Sequence, residues 1–374
     1  MAEAVLIYAA SSHDSNLLYK TRFQAGDPIV YIEAGGKNLL VLNDLELGRG
    51  KAEARVDEIV SMSAVEKELK EAGQAKPTLA DIVARVLELR GADRVTVPAS
   101  FPLEMADMLR GKGVSLTYRR EPFYLERTVK TEEELKFIRE AVKFTEEAYS
   151  RAHRAFVETE IRGNELWYKG SPLTAERVKR IIDGYLYEND LLATHTIVAG
   201  GEQGTDPHCR GFGPLHPNET IVIDVFPKSL KTGYVADMTR TWVKGKATPE
   251  AKRLDAAVKA ACETAFRTIR SGVESTDVHK AVQKTLEDAG FKTETRDGKP
   301  VGFFHGTGHG IGLDVHESPP MGKRGALLKE GMVVTVEPGL YYPGVGAVRI
   351  EDDVVVTKDG CVNLCSYHKN LEIP

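Results

Sequence analysis

Residues 219–243 read ETIVIDVFPKSLKTGYVADMTRTWV, and each half of this stretch places one aspartate inside or beside an apolar run. The segment IVIDVF around Asp224 is apolar enough to form a strand that is buried on both faces. Burying an unpaired charge is unfavourable by several kcal/mol, so Asp224 requires a cation or a proton there. The second half repeats the pattern with Asp237.

The two halves predict a pair of antiparallel strands joined by a turn. With the turn centred near Leu230 and Lys231, Asp224 and Asp237 are directly opposite each other. Opposed residues of an antiparallel pair project from one face with their Cβ atoms about 5 Å apart. Two carboxylates at that separation repel each other unless a cation lies between them.

Two further apolar segments each contain a glutamate, Glu337 and Glu351. Glu337 is predicted to end the apolar strand VVTVE, and Glu351 to lie at the centre of the next strand, VRIEDDVV. A salt bridge with Arg240 or Arg349 would account for any single carboxylate. Four such carboxylates in one part of the chain favour a site for two hard or borderline divalent ions.

A histidine-rich stretch, HGTGHGIGLDVHE at 305–317, lies between these carboxylates. By itself it is compatible with a metal site, an acid/base site or an ordinary polar loop. We expect His305 to be a packed or supporting histidine. Asp314 and Glu317 are expected to be exposed groups or groups that support the site.

The bulk composition describes an ordinary globular protein. The chain has 374 residues and a net charge of −5, with acidic and basic residues interspersed, so we expect no nucleic-acid partner. No segment approaches the roughly 20 apolar residues of a membrane span. The N-terminal residues lack the features of a signal peptide, so we expect a cytoplasmic protein without a membrane partner. The four cysteines are too few for a disulfide scaffold.

Two domains are predicted. In the first third, apolar runs alternate with amphipathic segments, and a Gly-Gly turn indicates a hairpin, as in a small α/β domain. A capping box at Thr131 and Glu134 starts a long amphipathic helix, so the boundary is expected between about 121 and 131. The predicted domains are 1–125 and 126–374, the second combining helices with largely antiparallel strands.

Over residues 131–370 the chain resembles the pita-bread metallopeptidases, which include methionine aminopeptidase, aminopeptidase P and prolidase. The ordered ligand series of that family, Asp, Asp, His, Glu, Glu, has a counterpart for every member. The matching residues are Asp224 in VIDVF, Asp237 in ADMTRT, His309 in GTGHGIG, Glu337 in TVEPGLY and Glu351 in RIEDDVVV. The two aspartates are 13 residues apart here, because the turn is longer than is typical of the family.

The resemblance implies an α/β (α+β) protein whose catalytic domain packs helices on a curved, mostly antiparallel sheet. It also implies two divalent ions, such as Mn²⁺, Co²⁺ or Zn²⁺. Asp224 would bind one ion, His309 and Glu337 the other, and Asp237 and Glu351 would bridge both.

Roles for further residues follow from the same resemblance. Glu337 would act as general base, His316 would stabilise the developing oxyanion, and His208 would contact the substrate. Arg349, predicted on the same strand face as Glu351, would orient a carboxylate ligand or the C-terminus of the substrate.

An N-terminal domain before the catalytic half resembles the arrangement of the proline-specific members. The resemblance therefore implies hydrolysis of an Xaa-Pro peptide bond at a free N-terminus by a homodimer. Two alternatives remain open: an aminopeptidase of non-proline specificity, and a non-catalytic binding protein with the same fold.

Overall fold

The structure of the protein is a computed structural model that describes residues 2–296 and 298–374. The chain divides between Leu125 and Glu126 into two compact units. That these units are independently folding domains stays a prediction.

The first unit is built on one mixed sheet with helices on both of its faces. Its elements are β1 (Ala2–Ala9), α1 (Ser15–Thr21), β2 (Ile29–Ala34), β3 (Lys37–Leu42), α2 (Leu47–Glu53), β4 (Glu58–Ser61), α3 (Met62–Glu71), α4 (Leu79–Leu89), β5 (Ala92–Pro98), α5 (Leu103–Gly111) and β6 (Ser115–Arg119). The strand order is β4-β3-β2-β1-β5-β6. The β1–β2 and β2–β3 pairs are antiparallel, and the other pairs are parallel.

The predicted hairpin in this unit is confirmed. Strands β2 and β3 are joined at Gly35 and Gly36, which have φ values of +58° and +74°. Two successive left-handed residues allow the tight turn whose twist matches that of the strands. Separate apolar clusters on the two faces of the sheet form the core of this α/β unit.

The second unit contains more helix and a larger number of short strands. Its elements are a 3-10 turn (Leu125–Thr128), α6 (Glu132–Val157), β7 (Glu160–Arg162), β8 (Glu165–Tyr168), β9 (Ser171–Pro172), α7 (Ala175–Glu188), β10 (Leu191–Leu192), β11 (Ile197–Gly200), a second 3-10 turn (Gly201–Thr205), β12 (Ile221–Val225), β13 (Lys228–Ser229), β14 (Met238–Lys244), α8 (Pro249–Thr268), α9 (Ser275–Asp288), β15 (Glu294–Arg296), β16 (Lys299–Val301), β17 (Gly308–Gly310), β18 (Glu317–Met321), β19 (Val333–Val336), β20 (Gly339–Tyr342), β21 (Gly346–Arg349), β22 (Asp352–Val356), β23 (Cys361–Asn363) and β24 (Glu372–Ile373). No helix in the described ranges combines the length and apolarity that crossing a bilayer requires.

Two sheets position the site. One has the order β11-β12-β14-β24, and the other has the order β18-β17-β19-β22-β23. Their pairs are antiparallel apart from the parallel β14–β24 pair. Helices α8 and α9 pack on the second sheet through a buried apolar cluster. Helices on mostly antiparallel strands are therefore confirmed for this part of the chain.

Helix α6 begins where the sequence predicts. The Thr131 side chain accepts from the Glu134 amide at 3.3 Å, and the Glu134 carboxylate accepts from the Thr131 amide at 2.8 Å. Farther along the helix, the fully buried Tyr149 hydroxyl lies 2.8 Å from the carbonyl oxygen of Ile223 and 2.5 Å from that of Met238. The helix thus contacts β12 and β14 beside the two aspartates.

The predicted register of β12 and β14 is wrong by two residues. Thr239 lies opposite Asp224, and the hairpin continues to a bridge between Lys228 and Val235. The turn is therefore centred between residues 231 and 232, one position later than expected. Because the shift in register is even, Asp237 stays on the face of the sheet that carries Asp224.

The placement of the turn has a local and a non-local cause. Gly233 has a φ of +79°, and its amide donates to the carbonyl of Ser229 at 2.8 Å, which closes the loop late. Strand β13 also pairs with β10, far away in sequence. That pairing holds the first half of the turn extended.

Both glutamates lie between strands. Glu337 directly follows the end of β19, close to the predicted end of that strand, whereas Glu351, predicted at the centre of a strand, lies at a break. Glu337 and Pro338 separate β19 from β20, and Ile350 and Glu351 separate β21 from β22. At each break the chain passes from one sheet to another. Arg349 therefore does not share a strand with Glu351, although a bridge between Thr239 and Glu351 keeps that glutamate beside β14.

Substituting Tyr149→Phe should lower the free energy of unfolding by about 1–2 kcal/mol, because buried carbonyl groups lose a hydrogen-bond donor. Urea unfolding followed by tryptophan fluorescence measures this change, since the Trp242 ring packs edge-on against the Tyr149 ring at 5.8 Å. Tyr187→Phe, at a residue that is 66% exposed, is the control. Equal unfolding midpoints for the two variants would contradict the bridging role.

Candidate metal centre

The predicted site residues surround one cavity of about 620 Å³ within the second unit. All five residues of the predicted ligand series line it, together with the two predicted catalytic histidines and the two predicted supporting residues. They are Asp224, Asp237, His309, Glu337, Glu351, His208, His316, Arg349 and His305. The structure therefore brings residues separated by more than 140 positions to one place.

At the centre of the cavity, oxygen and nitrogen atoms of three residues are close enough to share a cation. Ligand atoms of Asp237, His309 and Glu351 all lie within 4.8 Å of one another. Nε2 of His309 is also 3.4 Å from Oε1 of Glu337 and 3.8 Å from Oδ2 of Asp237.

The His309 ring is oriented by its own backbone. Its Nδ1 lies 3.1 Å from the carbonyl oxygen of Gly310, so Nδ1 carries the proton and Nε2 directs its lone pair toward the carboxylates. The His309 amide donates to Oγ1 of Thr335 at 3.1 Å. Gly308 is required beside it, because a Cβ there would lie 2.1 Å from the carbonyl oxygen of Thr335.

The carboxylates of this cluster destabilise one another's charged form. Burial first, and then neighbouring carboxylates, raise the pKa of Asp237 and Glu351 well above the ordinary value. Burial raises the pKa of Glu337 to about 7. Among the described residues, Oδ1 of Asp224 and Oδ1 of Asp237 are buried without a hydrogen-bond partner. Unpaired, crowded carboxylate oxygens beside an imidazole nitrogen fit a divalent cation.

Arg349 organises one wall of the cavity. Its Nη2 pairs with Oδ2 of Asp224 at 2.7 Å, Nη1 donates to the Tyr341 hydroxyl at 2.9 Å, and Nε donates to Oγ1 of Thr239 at 3.2 Å. The salt bridge considered as an alternative for Asp224 therefore exists. It uses one carboxylate oxygen and leaves the other facing the cavity.

His305 belongs to the same hydrogen-bond chain. Burial, followed by the charge of Arg349, lowers the pKa of His305 to about 3, so the ring is neutral. Nδ1 donates to the carbonyl of Gly306 at 2.8 Å, and Nε2 accepts from the Tyr341 hydroxyl at 2.9 Å. The supporting role expected for His305 stays a prediction, and these two hydrogen bonds are compatible with it.

The two further histidines are both exposed. The His316 ring lies 4.2 Å from the His309 ring, and burial followed by that neighbour lowers the pKa of His316. His208 is exposed and lies in the loop that follows the second 3-10 turn. Both histidines line the cavity, and His316 can contact a group bound beside His309 because the two rings are adjacent.

Asp314 and Glu317 hold the loop around His316. Nη2 of Arg127 lies 2.7 Å from Oδ2 of Asp314 and 2.8 Å from Oε2 of Glu317. Nζ of Lys130 lies 2.6 Å from Oε1 of Glu317. Both acidic residues therefore act as supporting groups.

Sequence reasoning missed several residues of the site. Tyr341 and Thr239 link Arg349 to His305 and to Glu351, and the hydroxyl of Thr239 donates to Oε2 of Glu351 at 2.7 Å. The even spacing of Thr239 from Asp237 along one strand could have indicated it. Nothing in the sequence around Tyr341 distinguishes it from a core tyrosine.

A set of largely buried carboxylates around one imidazole, with further histidines and an arginine beside it, is typical of a metal-dependent hydrolase. The chain belongs to metallopeptidase family M24, whose model matches residues 136–358. Family and geometry together imply that the cavity binds divalent metal ions.

Relatives agree with this membership. The probable dipeptidase PepE of Mycobacterium tuberculosis (strain H37Rv) is 31% identical over 283 residues, covering 75% of this chain and 69% of that protein. The Xaa-Pro dipeptidase of Lactobacillus delbrueckii subsp. lactis is 32% identical over 180 residues, covering 48% of this chain and 46% of that protein. The chain thus spans about half the length of the Lactobacillus relative.

The fold is shared with solved structures. The crystal structure of X-Pro aminopeptidase from Thermotoga maritima MSB8 has a TM-score of 0.82 and 22% sequence identity, covering 100% of this chain and 98% of that one. At this identity the likeness concerns the fold alone. It confirms the pita-bread architecture, which follows a smaller N-terminal unit along the chain.

Asp237→Asn should reduce the affinity for Mn²⁺ at least about tenfold, because an amide replaces a charged oxygen in the cluster. Isothermal titration of chelator-treated protein measures the affinity. Without metal the variant should unfold no more easily than the wild type, since one repulsive charge is gone. Asp359→Asn, in an exposed turn, is the control, and unchanged Mn²⁺ affinity in Asp237→Asn would remove this residue from the ligand set.

Proposed function

We propose that the protein hydrolyses the Xaa-Pro peptide bond at the free N-terminus of dipeptides or short peptides. The observation that carries this proposal is the convergence of four carboxylates and Nε2 of His309 on one cavity. A relative named as an Xaa-Pro dipeptidase supports the specificity.

We further propose that two divalent ions, Mn²⁺, Co²⁺ or Zn²⁺, are held there. Asp224 would bind one ion through its unpaired Oδ1, and His309 with Glu337 would bind the other. Asp237 and Glu351 would complete the ligand set, since their ligand atoms lie within 4.8 Å of one another and of that of His309. Bound divalent ions supply an activated water and polarise the scissile carbonyl.

The side chains of the protein then place and stabilise the substrate. The carboxylate of Glu337 is positioned to accept a proton, because it borders the centre of the cavity beside His309. His316, next to His309, would donate a hydrogen bond to the oxyanion of the scissile carbonyl. Arg349 holds Asp224 and Tyr341 in place, and His208 would contact the substrate on the solvent side.

The setting of the enzyme is also proposed. A low net charge without a basic stripe supports a peptide substrate rather than a nucleic acid, and we propose no membrane partner. Four free cysteines agree with a reducing compartment, so we propose a cytoplasmic enzyme. We propose a homodimer on the family resemblance.

Purified protein loaded with Mn²⁺ should cleave Ala-Pro and Ala-Pro-Ala but not Ala-Ala-Ala, and a chelator should abolish the cleavage. Release of alanine measured by chromatography, beside metal analysis of the same sample, checks this expectation. Asp237→Asn is the matched inactive control. Equal cleavage of Ala-Ala-Ala would indicate an aminopeptidase of other specificity, and metal binding without any cleavage would indicate a binding protein.

His316→Ala should retain metal and lower kcat about a hundredfold, because loss of one oxyanion donor affects the transition state more than the bound substrate. Metal analysis and steady-state kinetics separate these effects. His13→Ala, in the first unit, is the control. Loss of metal from His316→Ala would instead make His316 a ligand.

A further inference from the structure

A loop on the solvent side of the cavity carries a carboxylate that the ligand set does not use. Asp206 lines the same cavity as the metal ligands and is exposed. Its Oδ1 accepts from the His208 amide at 3.0 Å, and its carbonyl oxygen accepts from the Cys209 amide at 3.1 Å. These bonds form an Asx turn, which orients the carboxylate.

The loop around Asp206 is anchored on both sides. The Asp206 amide donates to the carbonyl of Gln203 at 3.3 Å. The Gln203 side chain donates to the Phe212 carbonyl at 3.0 Å and accepts from the Phe212 amide at 2.9 Å. Asp206 is therefore presented to the cavity by a closed loop rather than by a free segment.

The second oxygen of Asp206 is available. Within ranges 2–296 and 298–374, Oδ2 of Asp206 takes part in no hydrogen bond or ion pair. Arg349 is the one lysine or arginine among the described lining residues, and it is 4% exposed with its donors directed at Asp224, Tyr341 and Thr239. No lysine or arginine in the described part of the chain forms an ion pair with Asp206.

We propose that Asp206 is a specificity-determining residue that binds a cationic group of the peptide, an inference that rests on the proposed peptidase activity. The cation comes from one of two sources. It is the α-ammonium group of the substrate or the side chain of a lysine or arginine after the proline. In both cases the oriented Oδ2 accepts a charge-assisted hydrogen bond.

The effect appears in binding rather than in the chemical step. Asp206 is exposed, whereas Asp224, Asp237 and Glu351 of the proposed ligand set are buried. An ion pair at an exposed position changes affinity about two- to fivefold, and added salt weakens it. The expected signature is a salt-dependent change in KM with an unchanged kcat.

The test uses Mn²⁺-loaded full-length protein and two amidated peptides, Ala-Pro-Ala-amide and Ala-Pro-Lys-amide, neither of which carries a carboxylate terminus. Asp206→Asn keeps an oxygen for the Asx turn and removes the charge. Glu202→Gln is the matched control, because Glu202 lies in the preceding turn, is exposed and does not line the cavity. Steady-state kinetics at low and high salt give KM and kcat for each protein.

Asp206→Asn should raise KM at low salt about two- to fivefold relative to Glu202→Gln. An equal rise for both peptides assigns the α-ammonium group, and a rise confined to Ala-Pro-Lys-amide assigns the basic side chain. Identical KM values in the two variants for both peptides would overturn the role of Asp206 alone. A wild-type protein that binds Mn²⁺ but cleaves neither peptide would overturn the peptidase activity and this role with it.

Discussion

Mutual repulsion among carboxylates in one buried cavity is the constraint around which the second unit is organised. Asp237 and Glu351 are almost fully buried, and each lies in the field of further carboxylates that raise its pKa. Without a cation, folding such a cluster requires the uptake of protons. A divalent ion offsets the repulsion and is a partner for the unpaired oxygens. Burial of these carboxylates is therefore unfavourable without a cation and favourable with one.

The surrounding structure holds these groups near one another despite their repulsion. Arg240 and Asp352, each 1% exposed, form an ion pair at 2.8 Å behind the cluster. Oδ2 of Asp353 accepts from the amide of Asp237 at 3.0 Å, which fixes the backbone before β14. Removing Asp352 would leave the buried Arg240 guanidinium without a carboxylate partner, so this ion pair constrains the structure behind the cluster.

The kinds of element and a set of residues that line one cavity could be predicted from the sequence, whereas strand register could not. The capping box at Thr131 is local, and a charge inside an apolar run is visible in a few residues. The register of β12 and β14 depends on the pairing of β13 with β10, about 37 residues away in sequence. The strand breaks at Glu337 and Glu351 depend on which sheet each segment joins, and that is decided by distant partners.

Asp224 shows why a carboxylate in an apolar strand is ambiguous in sequence. Its two oxygens have different surroundings: Oδ2 pairs with Arg349, and Oδ1 has no hydrogen-bond partner among the described residues. The salt bridge and the proposed metal contact therefore involve different oxygens of the same carboxylate. Because its donors are used by Asp224, Tyr341 and Thr239, Arg349 is not available to bind a charged group of the substrate. The proposed recognition of substrate charge therefore falls to the exposed loop that carries Asp206 and His208, while the proposed chemistry takes place at the residues around His309.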